Sequence, residues 1–433
     1  MEIERNLYLE KMENSIGNGM VKIVTGPRRC GKSYLLFKLF VDYLRSQGVA
    51  EDHIVALSLD RRENLRYRDL NELAKYFEDR KTKDSKRQFF LIDEIQLCPP
   101  KENPWVKGQM ASFYEVLNEF LHFPDVDVFV TGSNSHLLSS DIATEFRGRG
   151  WQIPMHPLNF SEFLSTKQDQ SNPFALWDEY WRYGGLPMCV LTKEESAKIQ
   201  YLRDTFQVTY LLDIIDRYRL RNNEGVIGSL VKVLASSVGS PISFSKIANT
   251  FSSATGEKIA PRTVENYISH MKDAFLIQET QADFLKGRQF IGAPSKYYFE
   301  DLGLRFAATD FKGDDQESHY MENIIYNELI SRGYIVNTGR LCANERKDGK
   351  QESHQYEIDF VCEKAGTRIY IQSAMYIPDE AKMAQEKRPL LMVRDSFQKI
   401  LVSKFFSSAT YDNNGILQVG LFDFLTKPDI LSK

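Results

Sequence analysis

One short segment constrains this chain more than any other feature of its sequence. The residues Gly26-Pro27-Arg28-Arg29-Cys30-Gly31-Lys32-Ser33 match the pattern G-x-x-x-x-G-K-[ST] at every fixed position. The segment follows an apolar stretch, Val21–Val24, that predicts a strand, and it opens a helical pattern from Ser33 to Arg45. In this setting the glycines allow backbone N–H groups to wrap phosphate oxygens, and the helix N-terminus adds partial positive charge. The segment therefore predicts a phosphate-binding loop.

Two side chains of this loop have specific expected roles. Lys32 is expected to reach the β- and γ-phosphates of a bound nucleotide, and the Ser33 hydroxyl is expected to ligate Mg²⁺. The residues expected to contact the nucleotide are Gly26, Pro27, Arg28, Arg29, Cys30, Gly31, Lys32, Ser33 and Tyr34.

An acidic pair further along the chain supports the same chemistry. Phe89-Phe90-Leu91-Ile92 predicts a central strand, and Asp93 falls at its carboxyl end, where ligands bind in open α/β sheets. Asp93 is expected to hold Mg²⁺, directly or through water, and Glu94 to orient and polarise the attacking water. Such a pair alone is often a surface cap, but downstream of a phosphate loop it indicates a Walker B motif.

A third strand, Val126–Val130, also runs into polar residues. Ser133 and Asn134 are candidates for contact with the γ-phosphate or the water, although a capped turn that starts a helix at Ser135 would explain either one nearly as well. Arg147 and Arg149 lie in a glycine-rich stretch and are candidates for the positive charge that stabilises the transferring phosphoryl group, with Arg149 preferred. The residues expected to act in catalysis are Lys32, Glu94, Asn134 and Arg149.

The order of these elements predicts the fold class of the first part of the chain. A further apolar stretch, Ile54–Leu59, adds another strand, and helical patterns separate the strands. Short apolar strands separated by helices are typical of a parallel sheet covered on both faces. The sequence therefore predicts an α/β fold with the parallel sheet of a P-loop NTPase.

Five segments together resemble a prokaryotic family of AAA-type P-loop ATPases. They are the phosphate loop, Leu91-Ile92-Asp93-Glu94-Ile95-Gln96, Thr131-Gly132-Ser133-Asn134-Ser135, Gly148-Arg149 and Gly184-Gly185-Leu186-Pro187. The resemblance covers nearly the whole chain, and members of the family carry a C-terminal region of unknown function that joins a winged helix to a restriction-endonuclease-like fold. It implies ATP rather than GTP as the nucleotide, and the sequence has no guanine-reading N-K-x-D motif.

The element pattern and this resemblance divide the chain into four expected parts. They are an AAA-type core at 1–158, a helical lid or linker at 159–224, a winged helix at 225–305 and a PD-(D/E)xK-like α/β domain at 306–433. In the winged-helix part, three helical patterns precede two strand-like pieces, Phe275–Ile277 and Lys296–Phe299. Three helices followed by a β-wing are the outline of that fold.

Whether the expected winged helix reads DNA is left open by its charge. Its third helix, which begins at Pro261, offers Arg262 and Lys272 but also Glu265 and Asp273. A DNA-reading helix usually has a stronger basic bias. DNA binding and a purely protein-contacting role are therefore about equally expected.

The last part resembles a PD-(D/E)xK nuclease in layout but departs from its active-site pattern. Glu322 lies on the first helix and Asp359 on a strand, where acidic metal ligands are expected. Gln372 stands where the second acid of the motif should be, and Ala374 stands where its lysine should be. Cleavage needs acidic ligands for Mg²⁺ and a lysine beside the nucleophile. We therefore expect a retained fold that serves as a docking surface, without nuclease activity.

Composition excludes several classes of protein. The 433 residues are 42% hydrophobic and 26% charged, with a net charge of −4, which indicates a folded chain with no overall attraction to nucleic acid. No apolar run approaches a membrane span and no secretory signal is visible, so we expect a cytoplasmic protein without membrane contact. The five scattered cysteines favour neither a disulfide framework nor a zinc site.

The sequence thus predicts an Mg²⁺-dependent ATPase whose hydrolysis changes the conformation of the C-terminal domains. Two alternatives stay open: a DNA-binding regulator or defence protein that uses ATP as a conformational switch, and an ATP-gated nuclease. If Arg147 or Arg149 acts on a neighbouring subunit, the protein must form a homo-oligomer. An unknown protein partner is also expected.

Overall fold

The computed structural model describes residues 2–103, 106–132, 146, 148–220, 223–256, 258–285, 293–312, 317–347 and 350–432. The chain divides into two compact units. One comprises Met1–Pro157 with Asp273–Phe275, and the other comprises Leu158–Lys272 with Leu276–Lys433. Each unit is built around a sheet of its own, and the expected finer division into four parts stays a prediction.

The first unit has the parallel sheet that the sequence predicts. Its strands are β1 Val21–Thr25, β2 Ile54–Ser58, β3 Gln88–Asp93, β4 Lys101–Glu102, β5 Met110–Ala111, β6 Val126–Gly132 and β7 Gly150–Pro154. Five of them form a sheet in the order β2-β3-β6-β1-β7, in which every neighbouring pair is parallel. The short strands β4 and β5 form a separate antiparallel pair.

Helices cover both faces of this sheet. They are Asn6–Glu13, a continuous helix made of Lys32–Tyr34, the π-helical Leu35–Leu39 and Phe40–Ser46, then Leu70–Glu78 and Phe113–Phe120, with 3-10 turns at Glu51–His53, Arg62–Arg68 and Ile95–Leu97. Strand β3 is continuously apolar because both of its faces are buried. Phe90 and Ile92 pack into the core on one face of the sheet, while Phe89 and Leu91 pack into the core on the other. Burial on both faces is the property that a central parallel strand requires.

The second unit begins with helices. They are Phe160–Ser165, Pro173–Tyr183, Pro187–Leu191, Glu195–Val208 with its π-helical continuation Thr209–Asp216, Glu224–Ser236, Phe244–Thr255, Pro261–Asp273, Leu302–Ala308, Glu317–Ser331, Glu380–Met392 and Leu421–Thr426, with a 3-10 turn at Pro428–Ser432. Strands β8 Ile277–Thr280 and β10 Lys296–Phe299 form an antiparallel pair after the third of the helices that were assigned to a winged helix. The expected strand at Phe275–Ile277 is misplaced, because Phe275 adopts a left-handed conformation with φ of +53° and the strand begins at Ile277.

The segment Gly184-Gly185 is closely packed against other backbone and side-chain atoms of the second unit. A side chain on Gly185 would overlap the carbonyl oxygen of Leu158, and one on Gly184 would overlap the carboxylate of Asp301. That buried carboxylate accepts hydrogen bonds from the backbone N–H groups of Gly185 at 2.8 Å and Leu304 at 3.0 Å. This part of the family pattern therefore has a packing explanation.

A seven-stranded mixed sheet forms the rest of the second unit. Its strands are β9 Ala282–Phe284, β11 Ile335–Lys347, β12 Lys350–Lys364, β13 Thr367–Ala374, β14 Gln398–Ser403, β15 Thr410–Tyr411 and β16 Ile416–Gly420, in the order β15-β16-β14-β13-β12-β11-β9. Strand β14 and the helix Glu380–Met392 were not predicted from the sequence. The helix carries Pro389, a residue that usually ends a helix, which obscures its pattern.

In the part of the chain that the structure describes, no helix combines the length and the apolar character that crossing a bilayer demands.

Candidate functional site

The loop Gly26–Ser33 adopts a conformation that depends on glycine. Gly26 has φ of +146° and Gly31 has φ of +103°, and Arg29 between them also has a positive φ of +63°. A side chain on Gly26 would overlap the carbonyl oxygen of Met155. When left-handed residues are interspersed along a loop, successive backbone N–H groups point towards one side and form an anion-binding concavity. The loop therefore has the backbone form that phosphate binding requires.

Lys32 lies inside this loop. Its side chain is buried, and its ammonium group donates hydrogen bonds to the carbonyl oxygens of Gly26 at 3.0 Å and Pro27 at 2.7 Å. The charge is thus held within the concavity by weak neutral acceptors that anionic phosphate oxygens can replace. The Ser33 and Tyr34 side chains are exposed at the start of the helix.

Arg5 holds the loop by hydrogen bonds, a role that was not predicted from the sequence. The guanidinium of Arg5 donates to the carbonyl oxygens of His156 at 2.7 Å and Cys30 at 3.3 Å, and the side chain is almost completely buried. The Tyr8 hydroxyl accepts a hydrogen bond from the backbone N–H of His156 at 3.1 Å. The N-terminal helix is thereby tied to the loop and to the segment after β7. A lone arginine near the start of a sequence gives no signal of such a role.

The acidic pair lies two strands away from the strand that carries the loop, as the sheet order requires. Strand β6 separates β3 from β1, so that Asp93 and Thr131 meet at the carboxyl ends of neighbouring strands. The Thr131 hydroxyl donates a hydrogen bond to the Asp93 carboxylate and accepts one from the backbone N–H of Glu94 at 3.2 Å. Thr131 therefore holds both acidic residues in place, a role that was not predicted for it.

Glu94 lies in a strained backbone conformation. Its φ of +56° and ψ of +46° are left-handed, which is uncommon for a residue other than glycine. Its carboxylate accepts a hydrogen bond from the side-chain amide of Gln96. Strained residues that the surrounding structure holds in place occur frequently at functional sites.

The oxygen donors beside the loop fit a shared magnesium site. Mg²⁺ is usually bound by one or two protein oxygens together with waters and substrate phosphates. Ser33 offers a hydroxyl and Asp93 a buried carboxylate. Across the part of the chain that the structure describes, no three His, Cys, Asp or Glu side chains are grouped so that they could hold a metal ion unaided. A hydroxyl and a carboxylate are oxygen donors of the kind that bind Mg²⁺ jointly with phosphate.

The other predicted catalytic residues are either outside the described part of the chain or at the opposite end of the sheet. Ser133, Asn134 and Arg147 lie outside the described residues. Arg149 is exposed and immediately precedes β7, whose parallel partner β1 carries the loop at its opposite end. At about 3.3 Å per residue, the five-residue strand separates Arg149 from the loop edge by roughly 13 Å or more. Action of Arg149 on the phosphates of its own subunit therefore conflicts with this geometry, and action on a neighbouring subunit stays a prediction.

The structure brings Glu322 and Asp359 together in the second unit, around a lysine that the sequence analysis missed. Lys296 is buried and contacts Glu322 at 3.0 Å and Glu357 at 2.6 Å. Burial, followed by the charge of Glu322, raises the pKa of Asp359 to about 7, while Lys296 opposes that rise. The Asp359 carboxylate accepts hydrogen bonds from the backbone N–H and the hydroxyl of Ser373, at 2.8 and 2.7 Å. The charges of Lys296, Glu322 and Asp359 are thus met by ion pairs and hydrogen bonds within the second unit.

The two positions that depart from the nuclease pattern do not offer the groups that cleavage requires. The Gln372 amide donates to Glu386 at 3.2 Å, and Ala374 is buried in the core of the sheet. An amide and a methyl group cannot replace a carboxylate and an ammonium group in metal-dependent cleavage. The absence of nuclease activity stays a prediction.

The helix Pro261–Asp273 presents a balanced charge. Arg262 and Glu265 are exposed, and Lys272 forms an ion pair with Glu279 of β8. His270 on the same helix stacks on Tyr218, with ring centroids 3.5 Å apart. The exposed charges along the helix Pro261–Asp273 itself are therefore of both signs.

Comparison with known proteins gives two domain matches and two relatives. A family model described as an AAA domain matches residues 18–164, and a model described as a domain of unknown function matches residues 175–315. An uncharacterised protein of Haemophilus influenzae is 31% identical over 423 residues, which cover 96% of this chain and 97% of that protein. An uncharacterised protein of Methanocaldococcus jannaschii is 28% identical over 373 residues, which cover 83% of this chain and 74% of that protein.

Solved structures show weaker likeness. The Walker-type ATPase of Pyrococcus abyssi has a TM-score of 0.45 at 15% identity, and the match covers 71% of this chain and 96% of that chain. The Orc1 protein of Aeropyrum pernix, solved in complex with DNA, has a TM-score of 0.31 at 13% identity, with coverage of 72% and 93%. The domain match confirms an AAA-type core, whereas the winged helix and the nuclease-like fold stay predictions.

Proposed function

Because the chain belongs to the same family as the uncharacterised Haemophilus influenzae protein and has an AAA domain at residues 18–164, we propose that it hydrolyses ATP to ADP and phosphate. The observation that carries this proposal is the position of Lys32. Its ammonium group lies buried within a glycine-dependent loop and is bound by two of the loop's own carbonyl oxygens. A buried charge in such a place suits an anionic ligand that enters the loop.

Four residues have distinct parts in this reaction. Lys32 and the loop N–H groups bind the phosphates and stabilise the charge that develops during transfer. Ser33 and Asp93 would hold Mg²⁺, which neutralises phosphate charge when it is bound. Glu94 orients the attacking water and accepts its proton as the bond to the γ-phosphorus forms, so that ADP leaves with the bonding electron pair.

We also propose that the nucleotide state is passed to the second unit along the chain itself. Met155 lies directly against Gly26 of the loop, and its backbone N–H donates to the carbonyl of Thr25 at 2.7 Å. Arg5 joins Cys30 of the loop to His156. The second unit begins at Leu158, only two residues further. A shift of the loop on phosphate binding would therefore act on the segment that enters that unit.

ATP turnover is the test of the hydrolysis claim. Wild type is compared with Glu94→Gln and with Glu119→Gln, a matched substitution on an exposed helical position, and binding of a fluorescent ATP analogue is measured in parallel. We expect Glu94→Gln to bind the analogue normally and to lose turnover, and Glu119→Gln to match wild type. Equal turnover by both variants would remove the role of Glu94, and no turnover by wild type would favour the switch alternative.

Two further arms of the same assay test the predicted partners. Addition of duplex DNA tests whether the second unit reads nucleic acid, for which stimulation of turnover is the positive result. Turnover per subunit is also measured over a range of protein concentrations. A rate that does not change with concentration would contradict action of an arginine on a neighbouring subunit.

A further inference from the structure

We propose that Gln96 is a positioning residue for the attacking water of ATP hydrolysis. The inference rests on the proposed function, because it concerns the residue that holds Glu94. It begins from the hydrogen bond that the Gln96 side-chain amide donates to the Glu94 carboxylate. No role for Gln96 follows from the loop motif or from the acidic pair.

The backbone around this contact is rigid. Gln96 is the central residue of the 3-10 turn Ile95–Leu97, in which Leu97 donates its N–H to the carbonyl of Glu94 at 3.0 Å. Ile95 is completely buried in the core, and the N–H of Glu94 is held by Thr131. The two side chains therefore approach each other from fixed backbone positions, so little conformational entropy is lost when their hydrogen bond forms.

The chemistry of the carboxylate fixes which way the amide points. An ionised Glu94 can only accept hydrogen bonds, so Gln96 must turn its NH₂ group towards it. The carbonyl oxygen Oε1 of Gln96 then points away from Glu94. It is buried and, among the residues that the structure describes, has no hydrogen-bond donor. A buried acceptor without a partner is costly, which makes it a candidate for a function.

Gln96 acts on the attacking water through Glu94. Its amide holds one side of the Glu94 carboxylate, so that the remaining lone pairs of the carboxylate stay in a fixed direction to accept the hydrogen bond of the water. Without the amide, the carboxylate and the water that it holds would be free to change direction. Glu94 takes the proton during attack, and Gln96 takes part only by orientation. The Thr131 hydroxyl is already engaged with Asp93 and does not compete for this water.

The test uses Gln96→Met, which keeps the side-chain volume and removes both hydrogen-bonding groups, in the full-length protein. We expect kcat for ATP to fall about 10- to 100-fold, the range expected when a reacting group is misplaced, while KM, analogue binding and thermal stability stay at wild-type values. A purely structural role would change stability and leave kcat unchanged. A rise in kcat would show that the amide holds Glu94 in an unproductive position, and would overturn the proposal.

A double variant separates this inference from the function on which it rests. If Gln96 acts through Glu94, Gln96→Met will lower the residual ATP turnover of Glu94→Gln by a smaller factor than it lowers the turnover of wild type. If wild type is active, Glu94→Gln is inactive and Gln96→Met turns over ATP at the wild-type rate, the proposed role of Gln96 is contradicted. The proposed ATPase activity is then unaffected. Wild type without turnover would overturn both.

Discussion

Lys22 and Asp127 form an ion pair that is buried at the end of the five-stranded sheet opposite the phosphate loop. Each side chain is only 1% exposed, and they extend from the neighbouring strands β1 and β6. Arg87 adds a second contact to Asp127 at 2.6 Å, and the backbone N–H of Gly17 donates to both carboxylate oxygens at 3.1 Å. Burial lowers the pKa of Lys22 despite the opposing charge of Asp127. The pair therefore connects the loop strand to its neighbour.

Loss of one partner of this pair is expected to destabilise the protein strongly. Asp127→Ala leaves the Lys22 ammonium buried without its carboxylate, which typically costs about 3–5 kcal/mol in the free energy of unfolding. Urea denaturation of the variant measures the change. The double variant Lys22→Met with Asp127→Leu is the control, because it removes the charge as well, and it is expected to recover most of the loss. Equal destabilisation of both variants would contradict the explanation.

Gly26→Ala is expected to weaken ATP binding. The added methyl group would overlap the carbonyl oxygen of Met155, so the loop must move from the conformation that holds Lys32. Gly48→Ala is the matched control, since Gly48 also has a positive φ but has open space around the added atom. Titration with a fluorescent ATP analogue should show at least about a tenfold weaker affinity for the first variant only, the fold-change that 1.4 kcal/mol produces.

The double glycine at 184–185 gives a parallel prediction for the second unit. Gly184→Ala would push a methyl group into the buried Asp301 carboxylate, whereas Gly256→Ala meets no atom within 4 Å. Gly184, with φ of +69° and ψ of −162°, lies in a region that is open essentially only to glycine, whereas Gly256, with φ of +76° and ψ of −6°, is left-handed, so backbone strain adds to the overlap at Gly184. We expect a clearly lower unfolding temperature for Gly184→Ala than for Gly256→Ala. Similar unfolding temperatures would mean that the close packing has no energetic consequence.

His53 is expected to make stability depend on pH. Its ring lies between the carboxylates of Asp52 at 2.8 Å and Asp84 at 3.0 Å, and these hydrogen bonds raise the pKa of the imidazole, with that of Asp52 the larger cause. A raised pKa stabilises the folded protein below the ordinary value of 6.5, and this contribution is lost as the pH rises through the raised value.

Thermal unfolding measured from pH 6 upwards should therefore show a fall in stability for wild type that is smaller for His53→Gln. The effect is expected to be modest and to weaken at high salt, because Asp52 and Asp84 are substantially exposed. Parallel pH profiles for the two proteins would assign the dependence to other groups.

The parts of the site that lie close together in sequence were predictable from the sequence. The phosphate loop is one continuous segment, and its strand–loop–helix setting follows from local apolar patterns around Lys32. Asp93 and Glu94 were found for the same reason, since they directly end an apolar strand. The α/β class of the first unit also follows from local patterns, because strands and helices each bury their own periodic set of side chains.

Contacts between distant segments were decided by the tertiary structure alone. Thr131 meets Asp93 only because β6 pairs with β3 in one particular register, and Arg5 reaches Cys30 only because the N-terminal helix packs beside β7. Lys296 likewise meets Glu322 only because β10 packs against the helix Glu317–Ser331. A polar residue carries no periodic pattern that names its partner, and its partner depends on strand order and register, which are set by packing over the whole domain.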